Sequence, residues 1–334
     1  MAAQTISEVA DTHWSSTSRT LRPEVVDQFF EDYGTIDELR KSSLSIIDTG
    51  GRGIELKLQT SGNTAASFSH FDTLNKAPIN PIESATFTRR YYYCPIILSD
   101  TDSWENSGEA AIFDEMEALR NNAMQSLLKA INEDCYTAQA GKNMLGFPDL
   151  IADASGATIG GIDSSGTIVW DNQRDTNATT FLTQTATNIF NGVDKWSDLL
   201  DSILIQGASK KGRIFTTWGI AKAYRIALSS QGYARTTVES VGGIGGEYHP
   251  SFYDYRLIPD NDCTALHSYF VPGSNKNNAG VTLNILRQVN FKKTPFVSLQ
   301  SNGQLAQLAY MVAGVQLTTN RRRQNAVGTA ITGT

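Results

Sequence analysis

Residues 107–137, SGEAAIFDEMEALRNNAMQSLLKAINEDCYT, constrain the fold more than any other stretch of the chain. Ile112, Met116, Leu119, Ala123, Leu127, Ile131 and Cys135 recur every three or four residues, which puts them on one face of a helix. Ser107 stands where it can cap the amino end, and Glu109 with the later acids favours the helix dipole there. Roughly thirty residues at about 1.5 Å each make a rod of about 45 Å. A rod of that length with one apolar side is a spine for other layers rather than a helix that packs on a loop.

The segment before it changes period. From Leu44 to Gln59, Ile54, Leu56 and Leu58 alternate with Glu55, Lys57 and Gln59, the pattern of a strand with one wet face. TFTRRYYYCPIIL, residues 86–98, is rich in β-branched and aromatic residues and predicts a second strand. About twenty polar residues with Ser, Asn and Pro lie between the two. An isolated hairpin is marginal in water and its edges invite pairing, so its packing must come from elsewhere; a neighbouring subunit is one source. Upstream, Val25, Val26, Phe29, Phe30 and Tyr33 recur at near-helical spacing, which predicts an arm over residues 1–40 that ends in a short helix.

Downstream, TFLTQTATNIFNGV and TTWGIAKAYRIALSSQ read as helices on either side of LLDSILIQ, a short apolar run suited to a buried strand. An α/β lobe is expected there. VESVGGIGGEYHP, residues 238–250, is a Gly-rich break suited to a mobile loop, and YRLIPDND and LHSYFVP read as strands. At the end, VTLNILRQVNFKKTPFVSL pairs as a strand with AQLAYMVAGVQLTTNRRRQNAVGTA.

Composition excludes several classes of function. With 334 residues, 40% of them apolar and 19% charged, the chain is neither disordered nor membrane-embedded in character. Its longest apolar runs stop well short of a membrane span, and MAAQTISEVADTHW lacks the basic start and apolar stretch of a signal peptide. A net charge of -6 and a pI near 5.3 argue against a dedicated nucleic-acid binder. Cys94, Cys135 and Cys263 are widely spaced and match no zinc pattern, so buried thiols in a reducing compartment are expected.

No motif for catalysis, cofactor or metal survives inspection. GASKKGR, residues 207–213, resembles a phosphate loop, but Arg213 and Ile214 stand where Lys and Ser/Thr are required, and a solvated basic turn is the expectation. VGGIGGE lacks the dinucleotide-binding order of glycines. His13, His70, His249 and His267 have no partners at metal spacing, and there is no G-x-S-x-G elbow. Asp153 and Asp163 lack the alternating pattern of a calcium loop and read as turn formers. NRRRQN is the one dense basic run; its arginines suit carboxylates across a subunit contact, nucleic acid or an exposed tail.

An arm, a long hairpin, a spine helix, an α/β lobe with a Gly-rich loop and a terminal strand ending in NRRR together resemble the major capsid protein of tailed bacteriophages with the Hong Kong 97-type fold. GFPDLIADASGATIGGIDSSGTIVWDNQ, residues 146–173, is similar to the G-L-P-x-L-I-A-D … G-G-I-D … W-x-N-Q segment that follows the spine helix in one group of these proteins. QLTTNRRRQNAVG is similar to that group's carboxyl terminus. The layout covers nearly the whole chain, while the motif-level likeness is confined to these two segments.

The resemblance implies an α+β chain divided into an N-terminal arm (1–40), an extended loop (41–99), a peripheral domain (100–140 and 281–334) and an axial domain (141–280). Residues 146–163 then form a structural junction between the spine helix and the axial lobe. It implies a non-enzymatic protein of the virion that assembles in the host cytoplasm into hexamers and pentamers around packaged double-stranded DNA, with no sequence-specific contact to it. Portal and decoration proteins are implied partners. Because the arm starts at Met1 with no fused scaffolding segment before it, a separate scaffolding protein is expected. Candidates for contacts between subunits are Lys57, Lys76, Arg89, Arg90, Arg321, Arg322 and Arg323; Lys57 or Lys76 would serve where relatives cross-link a hairpin lysine to an asparagine. Gly242, Gly243, Gly245 and Gly246 are the axial-loop candidates. Two rivals are an encapsulin-like compartment shell of the same fold and an α/β enzyme with an unrecognised site.

Overall fold

The computed structural model describes residues 33–41, 44–63, 65–74, 79–105, 115–184, 188–230, 251–273, 280–300 and 303–333. Helix α1 (Gly34–Lys41) leads into β1 (Ser45–Asp48), β2 (Gly53–Gln59), β3 (Ile82–Thr88), β4 (Arg90–Ser99), α2 (Asp100–Glu105) and the long helix α3 (Glu115–Cys135). Next come α4 (Phe147–Leu150), the hairpin β5 (Thr158–Ile159) and β6 (Ile162–Asp163), β7 (Gln173–Asp175) and β8 (Thr179–Thr180). These are followed by α5 (Asn191–Ile205), β9 (Gly212–Thr216), α6 (Trp218–Ser230), β10 (Ser251–Phe252), β11 (Tyr255–Pro259) and β12 (Ser268–Pro272). The chain closes with β13 (Thr282–Leu286), β14 (Lys292–Lys293), β15 (Val297–Ser298), β16 (Ala306–Thr318), β17 (Ala326–Gly328) and β18 (Ile331–Thr332).

Two sheets share one long helix. In the first, β16 pairs antiparallel with β4 from Ala306↔Ser99 to Val315↔Arg90; β13, β14 and β15 line its opposite edge, and β1 adds parallel to β13. In the second the order is β10-β11-β9-β12-β17-β7. Helix α3 buries Ala123, Leu127, Ile131 and Cys135, the expected face, in a core with Ala309, Met311, Ala313 and Val315 of the first sheet. Residues 107–114, the predicted first turns of that helix, lie outside the described residues.

Strand periodicity divides the second sheet between two cores. Phe215, Ile258, Tyr269 and Val271 enter the core shared with α3, whereas Ile214, Leu257 and Phe270 face α5 and α6. The amino end of α1 is fixed between these layers by buried polar groups. Thr35 N donates to Asp260 Oδ2 (3.0 Å), Ile36 N donates to Asn132 Oδ1 (3.1 Å), and Asn132 Nδ2 donates to Asp260 Oδ1 (3.1 Å).

Several expectations need correction. LLDSILIQ is not a strand: residues 199–205 form the second half of α5, where Leu199, Leu200 and Ile203 are buried with Gly192 and Trp196 at helical spacing. A short apolar run fits either period, and only the residues before it decide. The helix expected over 180–193 begins at Asn191, after Thr179–Thr180 has paired with β18. In GASKKGR, Lys210 and Lys211 are exposed as expected of a basic turn, but Gly212 and Arg213 enter β9. Cys135 and Cys263 are buried thiols, while Cys94 is only half-buried. The segment 281–334 is shared between the sheets: β13 to β16 belong to the first, and β17 joins the second between β12 and β7.

Candidate functional site

β2 and β3 form an antiparallel ribbon in register from Gly53↔Thr88 to Gln59↔Ile82. Ile54, Leu56, Ala85 and Phe87 anchor its base to the core of α3. Beyond the base the apolar side chains face outward: Phe68 is 73% exposed, Phe71 98%, and Leu74 and Ile82 more than half. The face of the first sheet turned away from α3 is also apolar and open, with Tyr91, Tyr93, Ile97, Val297 and Tyr310 exposed on it. Exposed apolar area of this kind marks surface intended for contact.

Arg89 fixes the ribbon where it leaves the sheet. Its Nη2 lies 2.7 Å from Asp48 Oδ2, and its Nη1 donates to the carbonyls of Gly50 and Gly51. It therefore ties the β3–β4 bend to the β1–β2 turn. It is expected at a subunit contact but is buried within its own chain, because three acceptors of the ribbon base converge on it.

The segment 146–173 supports the base of the ribbon. Asp149 Oδ2 accepts from Gln139 N (2.7 Å) and Gly146 N (3.1 Å), closing the turn after α3. Gly160, at φ +64°, accepts a hydrogen bond on its carbonyl from Thr86 N of the ribbon at 2.9 Å, and a Cβ there would stand 2.9 Å from Ala85 Cβ. Two hydrogen bonds from Ser165 hold the Asp163 carboxyl below the usual carboxylate range. Asp153 Oδ2 lies 3.0 Å from His267 Nε2, which joins the junction to the loop before β12.

Gly146 is the tightest point of this turn. A Cβ on it would lie 2.3 Å from Thr137 O and 2.8 Å from Asp134 O, both backbone atoms that cannot rotate away. Gly146→Ala is therefore expected to destabilise the subunit by about 3 kcal/mol, the upper end of an overpacking penalty. Urea unfolding of the isolated subunit measures this, and a change below about 1 kcal/mol would show that the turn relaxes freely.

The two segments that carried the family resemblance meet in space. Arg322 is fully buried, in a 3₁₀ turn after β16, and its guanidinium donates to three carbonyls of the junction: Nε to Leu150 O (2.9 Å), and Nη1 to Ala157 O and Trp170 O (3.2 Å each). Asn172 exchanges hydrogen bonds with Ala152, Trp170 Nε1 donates to Ile159 O (3.1 Å), and Gln173 N donates to Asn325 O (2.9 Å). Burial pushes the Arg322 guanidinium down to about 10, with Asp171 opposing and Arg174 adding to the shift, so it remains charged near neutral pH. Arg322 is thus an internal clamp and not a contact between subunits.

The remaining candidates scatter. Arg321 is exposed, Arg323 and Arg90 are half-buried, and Lys57 is exposed mid-ribbon opposite Ser84. Lys76 and Gly242, Gly243, Gly245 and Gly246 lie outside the described residues. Sequence reasoning singled out neither Asn132 nor Asp260 and met Asn172 only inside the W-x-N-Q segment. The apolar AVG directly after NRRRQN was the available signal that the arginine run turns inward.

No protein-family model and no curated protein sequence matches the chain. Solved structures do. The capsid protein of cyanophage A-1(L) is 14% identical, with a TM-score of 0.68 over 95% of this chain and 98% of that one. The capsid protein of a native GTA particle gives the same TM-score at 11% identity, covering 98% and 99%. The SrpI encapsulin from Synechococcus elongatus PCC 7942 gives a TM-score of 0.63 at 9% identity, covering 100% and 98%. At such identities the likeness is one of architecture: from end to end, the chain has the mixed helix-and-sheet fold of these capsid and encapsulin proteins.

Proposed function

We propose that the chain is a non-enzymatic shell protein, a major capsid protein of the Hong Kong 97-type, many copies of which close into a phage head. The observation that carries this reading is the ribbon: its base is built into the core, yet its apolar outer half is left in water. A second copy presenting its open aromatic sheet face would cover it. In this reading residues 1–40 are the arm, β1 to β4 belong to the extended loop (41–99), α3 with β13 to β16 forms the peripheral domain, and the second sheet with α5 and α6 forms the axial domain. Residues 326–332 are then assigned to the axial side, since they pair there.

Hexamers and pentamers of such subunits would enclose double-stranded DNA. The net charge of -6 suits a wall over which DNA slides rather than sticks. A separate scaffolding protein, a portal and decoration proteins are the expected partners, and the virion is the expected location. The encapsulin reading draws on the SrpI likeness over the full chain; such a shell would enclose protein cargo in a small particle.

Negative-stain electron microscopy of the purified chain, alone and with the candidate scaffolding protein, tests the proposal. Closed particles, rings or tubes are expected, and particle diameter separates a genome container from a small compartment. Dispersed monomers under both conditions would overturn the shell reading and favour an enzyme.

A further inference from the structure

The layer of α5 and α6 over the second sheet carries opposite charge at its two ends. Helix α5 packs over β17 and β7 at one edge of the sheet, whereas α6 packs toward β11 near the other. On α5, Asp194, Asp198 and Asp201 recur at helical spacing and are all exposed. Asp175 on the edge strand β7 adds to them: burial, and then the negative charges of Asp194, Asp175 and Asp201, push the Asp198 carboxyl up. Lys195, the cation of the same helix, does not neutralise the stripe. It is turned inward, its ammonium held by Asn177 O (2.6 Å), Thr329 O (2.8 Å) and Asp175. Among the described residues no ion pair joins Asp194, Asp198 or Asp201 to a cation.

On α6 a groove of about 400 Å³ is lined by Lys222, Arg225, Ile226, Ser229 and Ser230. Lys222 and Ile226 are exposed on the helix side opposite the buried Ile220, Ala223, Tyr224 and Ala227. Each flank also offers one aliphatic side chain: Ile226 is 44% exposed in the groove, and Ile205, one turn beyond Asp201, is 80% exposed.

We propose that neighbouring copies meet head to tail through these flanks, with the acidic stripe of α5 and Ile205 from one copy seated on the basic groove of α6 from the next. Like charges crowded along α5 repel within a subunit, and the lysine and arginine of a partner copy relieve that repulsion. Two different surfaces at opposite ends of one layer define a heterologous contact, the kind that propagates into rings when its rotation closes. The contact rests on the shell-forming reading above and names the residues through which adjacent subunits recognise each other around an axis.

Charge reversal tests it in the full chain. Asp198→Lys with Asp201→Lys places cations on both flanks, and Lys222→Glu with Arg225→Glu places acids on both. Each variant is expected to lose at least about tenfold of the ring or shell fraction seen by sedimentation and electron microscopy, a difference of about 1.4 kcal/mol. The fourfold variant restores opposite charges and is expected to recover assembly. Wild-type assembly should also weaken as salt rises, since exposed charges are screened over about 8–10 Å at 0.10–0.15 M. Asp198, Asp201 and Lys222 are exposed and Arg225 is half-buried, so circular dichroism and melting of each variant are compared with wild type to separate loss of the contact from loss of the fold.

Wild-type assembly that is indifferent to both reversals would overturn this contact alone. So would a fourfold variant that folds but fails to recover. Loss on reversing α5 without loss on reversing α6 would identify a basic partner other than a second copy and would also overturn it. A wild-type chain that stays monomeric with and without scaffolding protein would overturn the shell reading itself.

Discussion

Arg322→Ala is expected to be the most destabilising single change described here, by about 3–5 kcal/mol in urea or thermal unfolding of the isolated subunit. Truncation removes the donors that Leu150 O, Ala157 O and Trp170 O use and leaves a cavity where a fully buried guanidinium stood. A buried carbonyl without a donor is penalised by about 1–3 kcal/mol. One contribution acts the other way: Nη2 of Arg322 finds no acceptor among the described residues, so the wild type already carries an unmet donor and the burial of a charge. That offset keeps the expected loss below the simple sum over three bonds. Arg322→Lys keeps the charge but not the planar fork, and should fall between wild type and alanine. A loss below about 1 kcal/mol for Arg322→Ala would mean that the junction holds its shape without the clamp.

Phe71→Asp is expected to do the opposite: little to the subunit and much to the assembly. Phe71 is 98% exposed, so its replacement should change unfolding free energy by no more than about 0.5 kcal/mol. If the ribbon tip seats on a neighbour, the lost aromatic anchor and the charge introduced into an apolar contact should weaken each contact by about 2 kcal/mol or more. Repeated around a ring, that abolishes particles in electron microscopy while the monomer stays folded. Phe71→Leu should retain part of the assembly. Unchanged particle yield with Phe71→Asp would place the shell contacts away from the ribbon tip.

The two variants separate what the junction does from what the ribbon does. Gly160 belongs to the segment and gives the ribbon room to approach, while Arg322 holds the segment's carbonyls. If copies meet through the ribbon, the Arg322 clamp would act on assembly only through the position of the ribbon base. Arg89 acts more directly, since it binds both legs of the ribbon at once.

By itself the sequence determined what depends on neighbours a few residues away. The apolar face of α3, the alternation of β2, the strands Tyr255–Pro259 and Ser268–Pro272 and the helix Trp218–Ser230 all follow from local period, because side-chain direction repeats every 3.6 or 2 residues whatever lies beyond. The turn role of Asp163 was equally local, since its carboxylate bonds Ser165 two residues on. Only the tertiary structure decided whether Leu199–Ile205 continued a helix or began a strand, and that residues 326–328 would leave the β16 sheet for the other one. It alone decided the fate of the arginines. Arg322 finds its carbonyls 172, 165 and 152 residues away in the chain, and Arg89 finds Asp48 at 41. A charged side chain reads as surface in any local window, because its burial is tolerable only where distant backbone converges to satisfy it.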